Sequence, residues 1–519
     1  MNKKVITMLI VGGLLMAASG CGEKNKLASS KDGLTKLTVE VFDRNNAPEG
    51  QGNATDNMWT KYISEKAAEA IGAEVEYVAC PRAQEKEKLH VWLASNSAPD
   101  ICFTYDYVTV SGYAAQNGLH DLTDYIEEYG SAIKEKMGAV LDAGLYEGKQ
   151  FAIPGMSVQG GVSPLKIRKD WLDKLGLPMP TTLDELYNTL KAFKEQDPGN
   201  VGKENVVPFA IPAPGTVGTP GFYLDLMYAF GIRNDVNCEF PCMLSGNYDN
   251  GTFRSPVDMP EAREFYRFMN KLYKDGLIHK EFIIDSNGTR YAQHVSTGVA
   301  GFVNCNDIDM NPLTRSNVPE ADWVLLEPFA APDGTKSVNK GTGVRWLNFV
   351  PKTCKSPETA VKFINWMAED KIDTVLYYGF ENEDYDLTEG VITVRDREAL
   401  QKKLNWIGND LNLIGAVNYQ NPMDKLELVY PGEEGKIQIQ ALEMVNTYGK
   451  RPMLLNKERP IAKEKIATLN QYMFEGAAKV IVADDFDAQY DAYIEGWNKL
   501  GGAEYDNEVA EAIKALNAQ

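Results

Sequence analysis

Histidine is scarce in this chain, with 4 in 519 residues, and cysteine numbers only 7. Imidazole and thiolate are the usual zinc ligands, so a zinc enzyme is poorly provided for. Positive charge is also short: 53 Lys and Arg stand against 73 Asp and Glu, a formal net charge of -20. Such a surface repels phosphate backbones and offers no basic stripe, which argues against nucleic acid as a partner. Beyond the first residues no apolar run approaches the ~20 residues that a membrane span requires. No GxSxG elbow, HExxH pair or phosphate-binding P-loop occurs. The many acids guarantee chance carboxylate pairs, so their abundance is no sign of a glycosidase. No fixed-period repeat is visible.

What the N-terminus does have is an export signal. MNKKVITMLIVGGLLMAASGC opens with Lys3 and Lys4, runs apolar from Val5 to Met16, and ends in small residues before Cys21. This pattern reads as a cleaved signal over residues 1–20 rather than a folded element. Small residues directly before a Cys make a lipobox, so Cys21 is the expected lipidation site. Ala18 stands where Leu is usual. Two acyl chains would hold the chain stably at the outer face of the membrane, with residues 21–36 as a polar tether. Of the remaining cysteines, Cys238 and Cys242 bracket a short EFP loop and could pair, since export permits a disulfide. Cys80, Cys102, Cys305 and Cys354 sit in apolar runs and read as buried thiols.

About 500 mature residues exceed one compact core, so at least two domains are expected. LTVEVF (Leu37 to Phe42) alternates and reads as a strand, Met58 to Ile71 carries a helical stripe, and EVEYVAC is a second strand. A helix from Gln84 to Ala94 and a third strand, Asp100 to Asp106, follow. Strand, helix, strand at this spacing predicts an α/β fold with a parallel sheet. Ligands of such sheets sit beyond the carboxyl ends of the strands, here Asp43 to Asn46 and Tyr105 to Tyr107. Thr182-Leu183-Asp184-Glu185 is a capping box, after which Leu183, Leu186, Leu190 and Phe193 share a face. Ser356 and Pro357 suit the N-cap and first position of a later helix.

Six segments taken in order carry a resemblance: WLASNSAPDICFTYD, YAAQNGLHDLTDYIEEYG, IRKDWLDKLGLPMPTTLDELYNTLKAFKEQDP, CKSPETAVKFINWMAED, YYGFENEDY and YDAYIEGWNKLGG. They resemble the extracellular solute-binding lipoproteins of bacterial ABC importers, family 1, the LplA-like sugar-binding group. The resemblance covers nearly the whole mature chain. It implies a two-lobed architecture of the periplasmic-binding-protein kind, type II or maltose-binding-like, with a ligand cleft between lobes. Residues 37–155 with 345–400 would form the N-terminal lobe, and 156–344 with 401–519 the C-terminal lobe. Crossings would fall near Ile153 to Val162 and Ser337 to Arg345, forming a hinge. The implied function is to capture a carbohydrate, an oligosaccharide, by lobe closure and to deliver it to permease subunits. No catalysis and no cofactor are implied, and the chain would act as a monomer.

DPGNVGKENVVPF, from Asp197, has the outline of the calcium loop that some members of that family carry. Asp197 and Gly202 keep their places, but Gly199, Val201, Asn205 and Val206 replace oxygen ligands. Calcium takes six to eight oxygens, so the loop is expected to keep its turn without its ion, and no metal site is assigned. For the sugar, the expected contacts are loop aromatics beside planar hydrogen-bonding groups. From the first lobe these are Asp43, Asn45, Tyr105, Asp106 and Tyr107; from the crossings Met156, Arg345 and Trp346. Phe380 and Glu381 match a Tyr-Gly-x-Glu segment of the family, and Phe222, Tyr223, Asn304 and Asp307 come from the second lobe. Asn45 could instead shape a turn, and Arg345 could pair with an acid between lobes. Peptide as ligand, presentation of a solute to a sensor, and a secreted glycosidase are the competing readings. The acidic average charge disfavours a polyanionic ligand unless a local basic pocket overrides it.

Overall fold

Nine strands carry the architecture: β1 (Thr35–Asp43), β2 (Ala73–Pro81), β3 (Cys102–Thr104), β4 (Ala152–Met156), β5 (Leu165–Arg168), β6 (Val207–Phe209), β7 (Ala300–Asn304), β8 (Trp323–Leu325) and β9 (Val344–Phe349). They come from a computed structural model that describes residues 33–156, 165–215, 224–237, 246–304, 310–415, 432–455 and 459–517. The signal, Cys21, Phe222, Tyr223, Cys238, Cys242, Cys305 and Asp307 lie outside the described residues.

β1 and β2 pair in parallel along their full length, from Thr35 opposite Ala73 to Asp43 opposite Pro81. The helix Met58–Ile71 makes the crossover. Asn57 caps it by accepting from the Trp59 and Thr60 amides, and Gly72 ends it in the left-handed region. β3 joins β1 through Ile101, whose amide donates to the Thr38 carbonyl at 3.0 Å. β9 then pairs antiparallel with both β3 and β4. The first sheet therefore runs β2-β1-β3-β9-β4.

The second sheet repeats this order. β6 pairs in parallel with β7 and, through Phe209, with Ile278. β5 pairs antiparallel with β7 and with β8. In each sheet the antiparallel strand arrives from the other: β5 follows β4, and β9 follows β8. The sequence pattern predicts only the parallel part. The reversed strand comes from far along the chain, and nothing in its local periodicity marks its partner.

Two hydrophobic cores enclose these sheets. The first takes residues from Leu37 to Met156 and again from Trp346 to Ile414; the second takes residues from Leu165 to Phe329 and from Leu455 to Ile513. Leu404, Trp406, Ile407, Leu411, Leu413 and Ile414 belong to the first core. These residues follow the expected boundary at residue 400, so the first core continues past it to Ile414. A small third cluster packs the helix Gly432–Tyr448 on Leu325 and Val338, where the chain travels from β8 to β9.

Two caps depart from expectation. Thr182 accepts from the Glu185 amide at 3.2 Å, but the Glu185 carboxylate reaches back to the amide and hydroxyl of Thr181 rather than to Thr182. Ser356 stands before Pro357 and makes no side-chain cap bond. The third strand is shorter than predicted, because the chain turns at Tyr105 and Asp106 to start the helix Tyr107–Ala115. Among the described residues, Cys80, Cys102 and Cys354 are buried free thiols, as their apolar surroundings imply.

Glu40 is the exception within β1. Both faces of that strand are covered, so its carboxyl is fully buried; Oε2 accepts from the Phe103 amide at 3.0 Å. Burial pushes its pKa up to about 8, against the lowering effect of that hydrogen bond. The folded value lies above the unfolded one, so the protein is most stable where the acid stays protonated in both states. Stability is lost as pH rises through about 8. Glu40→Gln removes this titration. Urea denaturation at pH 5 and pH 8.5 should show the variant gaining on the parent at the higher pH, by a margin on the order of a few kcal/mol. Parallel pH profiles for the two chains would contradict the assignment.

Candidate functional site

β4 ends where β9 begins, with Met156 opposite Val344. At this edge of the first sheet the chain leaves for and returns from the second. β1, β2 and β3 run parallel to β4, so their carboxyl ends point to the same edge, the expected place for a ligand.

After β1 comes Arg44. Its Nε and Nη2 donate to the two oxygens of Asp410 at 2.6 and 2.8 Å, a bidentate pair. Asp410 lies almost wholly buried in the short helix Gly408–Leu411. The bond to Asp410 holds the Arg44 pKa above its already high value, against the effect of burial. Arg345 Nη2 approaches the same Asp410 Oδ1 to 4.0 Å, and Arg345 donates from Nη1 to Asn409 Oδ1 at 2.6 Å. The Tyr377 hydroxyl donates to the same Asn409 oxygen at 3.1 Å. After β2 comes Arg82, held by Glu85 at 3.4 Å.

These cations lie on rings. Phe42 and Tyr105 are nearly parallel with centroids 6.0 Å apart, and Trp346 meets Tyr105 edge-on at 5.8 Å. The Arg82 guanidinium sits 4.9 Å from the Phe42 centroid and 4.6 Å from that of Tyr105. Arg345 lies 3.8 Å above Trp346.

Several expected site residues therefore have other placements. Trp346 is fully buried and its indole N–H donates to the Leu413 carbonyl at 2.9 Å; it supports Arg345 from below and presents no face to a ligand. Asn304 is fully buried at the end of β7, where its Oδ1 accepts from the Leu226 amide at 3.4 Å. Asp106 caps the helix after β3, accepting from the Val108 amide and Thr109 hydroxyl, and pairs with Lys86 at 3.1 Å. Tyr107 begins that helix; burial raises its pKa, and its hydroxyl bonds toward Thr342 of the crossing segment. Phe380 stacks on Trp59 at 5.4 Å and joins no ring of the Phe42–Tyr105–Trp346 group. Glu381 is exposed in the turn before Tyr385. Asp43 turns back to accept from the Asn45 amide at 2.9 Å, and Asn45 takes φ 52, so Asn45 does shape a turn. Met156 is buried at the crossing, its amide donating to the Ile414 carbonyl. Arg345 pairs within the first lobe and not between lobes.

Sequence reasoning put Arg44 in the strand-end stretch without choosing it, and did not assign Arg82, Tyr377, Asn409 or Asp410 to the site. Applying the strand-end rule to β2 would have found Arg82, which follows Pro81 directly. Asn409 and Asp410 carried no signal, because the expected boundary put them in the other lobe.

In the second lobe Asp225 is buried and its Oδ1 accepts from the Asn339 amide at 2.7 Å. Burial pushes its pKa up to about 7, while the Asn339 bond and the charge of buried Lys166 act the other way. A side chain of the short helix Leu224–Tyr228, beside the end of β7, is thus tied to the segment that crosses to β9.

The Asp197 turn is closed by its own carboxylate, which accepts from the Val201 amide at 2.9 Å and the Gly202 amide at 2.8 Å. Asp197 takes φ 49 as the helix Leu183–Gln196 ends. Among the described residues no group of three or more His, Cys, Asp or Glu could hold a metal ion. No helix among them is long and apolar enough to cross a membrane.

A family profile described as "Bacterial extracellular solute-binding protein" matches residues 52–373. The chain is 25% identical over 456 residues to the polygalacturonan/rhamnogalacturonan-binding protein YtcQ of Bacillus subtilis, covering 85% of this chain and 86% of that protein. It is 26% identical over 364 residues to the fructooligosaccharide ABC transporter substrate-binding protein FusA of Streptococcus pneumoniae, covering 65% and 63%. Among solved structures, the alginate-binding protein AlgQ2 without calcium ion aligns with TM-score 0.65 at 20% identity, over 94% of this chain and 99% of that one. An "HMO binding ABC-transporter associated Solute Binding Protein" from Bifidobacterium longum infantis aligns with TM-score 0.69 at 18% identity, over 93% and 99%. These structural likenesses speak for the two-lobed fold.

Proposed function

The chain belongs to the bacterial extracellular solute-binding proteins, and on that premise we propose that it is a lipid-anchored receptor that captures an oligosaccharide and hands it to an ABC importer. The observation that carries this reading is the edge where β4 leaves and β9 returns. There the Arg44–Asp410–Arg345 group and the Phe42–Tyr105 rings sit at the strand ends, beside the segments that link the two sheets. Planar charged groups give directional bonds to saccharide hydroxyls.

A ligand touching both lobes favours the state in which both touch it. Only that differential part of the binding energy drives closure. At micromolar affinity the whole amounts to about 8 kcal/mol. The linking segments are the hinge, and Asp225 fastens one of them to the second lobe through Asn339. Cys21 would carry the acyl anchor, and a permease would receive the closed form and release the sugar. The ligand leaves unchanged, since the reading assigns the chain no chemical step.

A thermal-shift screen against oligosaccharides and peptides tests this. A ligand at 100 times its dissociation constant adds about 2.7 kcal/mol to stability. Oligosaccharides are expected to raise the midpoint. A shift with peptides alone would overturn the saccharide assignment.

A further inference from the structure

We propose that the saccharide held at this edge is acidic, an oligosaccharide whose uronic acid carboxylates are met by Arg44, Arg82 and Arg345; the inference rests on the saccharide reading above. A neutral sugar usually lays its C–H face on a bare aromatic ring. Here the ring faces are already taken. Arg82 covers Phe42 and Tyr105, and Arg345 covers Trp346. What the edge offers in their place is guanidinium N–H, a group that only donates and carries positive charge.

The charges are layered. Arg44 and Arg82 each keep 36% of the side chain exposed, while their partners Asp410 and Glu85 keep 2% and 6%. Glu85 is further occupied from within, accepting from the Thr104 hydroxyl at 2.6 Å and the Tyr105 amide at 3.2 Å. The nearby Lys86 pairs with Asp106, and exposed Asp43 bonds the Asn45 amide. By formal count the four cations match these four acids. The arrangement decides the outcome: the carboxylates that hold Arg44 and Arg82 are buried while those two guanidinium side chains stay partly exposed, and Arg345 keeps 14% of its side chain exposed beside them. A planar donor fork held in this way fits a carboxylate in a bidentate mode. In a chain of net charge -20 this local layer overrides the average that disfavours a polyanion.

Isothermal titration of the full chain with a galacturonic acid tetramer, and with its fully methyl-esterified form, tests the inference. A mannuronic acid tetramer serves as a second acidic probe. At least one acidic tetramer should bind ten-fold or more tighter than the ester, and that advantage should shrink as salt is raised. Arg82→Gln should cost the acidic tetramer ten-fold or more while changing the affinity for the ester by no more than a few-fold, a split that loss of the Arg82–Glu85 pair alone would not produce. Equal binding of ester and acid, or an Arg82→Gln variant that keeps the acidic preference, would overturn the carboxylate assignment and leave the saccharide reading standing. If neither form binds and neutral oligosaccharides also fail, the saccharide reading itself falls.

Discussion

Asp373→Ala is expected to lower first-lobe stability by about 3 kcal/mol. Asp373 is fully buried in the helix Asp370–Tyr378 and pairs with Lys136. Its other oxygen accepts from Asn412 Nδ2 at 2.6 Å. Asn412 in turn accepts the amides of Ile414 and Gly415 at 3.2 and 2.9 Å, the last described residues before the chain leaves the first core. Removing the carboxylate takes the buried Asp373 partner from the largely buried Lys136 ammonium, whose Nζ also reaches the Ala368 carbonyl. It also releases the side chain that holds residues 412–415. Breaking one half of a buried pair costs about 3–5 kcal/mol, and the partial exposure of Lys136 argues for the lower end. The double replacement of Lys136 by Met and Asp373 by Leu should cost much less, because no charge stays buried alone. Urea denaturation of both variants checks this. A double variant as unstable as the single one would show that packing, and not the stranded charge, sets the loss.

Trp346→Ala should cost about 3–5 kcal/mol, the range for removing a large aromatic from a close-packed core. The indole is fully buried between Phe103, at 4.5 Å, and Gly155. The fit is tight: a Cβ on Gly155 would come within 2.4 Å of the indole nitrogen. The Leu413 carbonyl keeps a second donor, Asn348 Nδ2 at 2.9 Å, so the cost comes mainly from the cavity and not from a lost hydrogen bond. Trp346→Phe keeps a ring under Arg345 and should retain most of the stability and, within a few-fold, the affinity for whichever oligosaccharide the thermal screen identifies. A ligand platform would behave differently, with binding lost in Trp346→Phe while the melting midpoint holds. Chemical denaturation and titration of the two variants separate these outcomes.

Legibility in the sequence follows the range of the interaction involved. Helix Met58–Ile71 was readable to the residue from its apolar stripe, and the Asn57 cap and Gly72 stop that the structure shows lie in the same short stretch. β1 was readable from alternation, but Glu40 was not readable as buried: only the helices covering the second face decide that. Tyr105 and Asp43 were chosen by the rule that ligands meet strand ends, and both lie at such ends, after β3 and at the end of β1. Asp106 was found by the same rule and turned out to cap a helix, since an Asx side chain at a turn satisfies local amides first. Trp346 was chosen because it stood near a crossing, a criterion that says nothing of which way a strand side chain points. Arg44 and Asp410 are 366 positions apart, and no local pattern announces their pairing.

The order and kind of the elements and the family itself could be read from the chain, since each rests on neighbours within a few tens of residues. Which strand reverses in each sheet, how far the first core extends toward residue 414, and how the guanidinium planes cover the rings were settled by tertiary structure alone. The physical reason is that a strand exposes the same unpaired N–H and C=O groups to any partner, and a charged side chain accepts any opposite charge. Which partner each one meets depends on how distant segments of the chain come together in the fold.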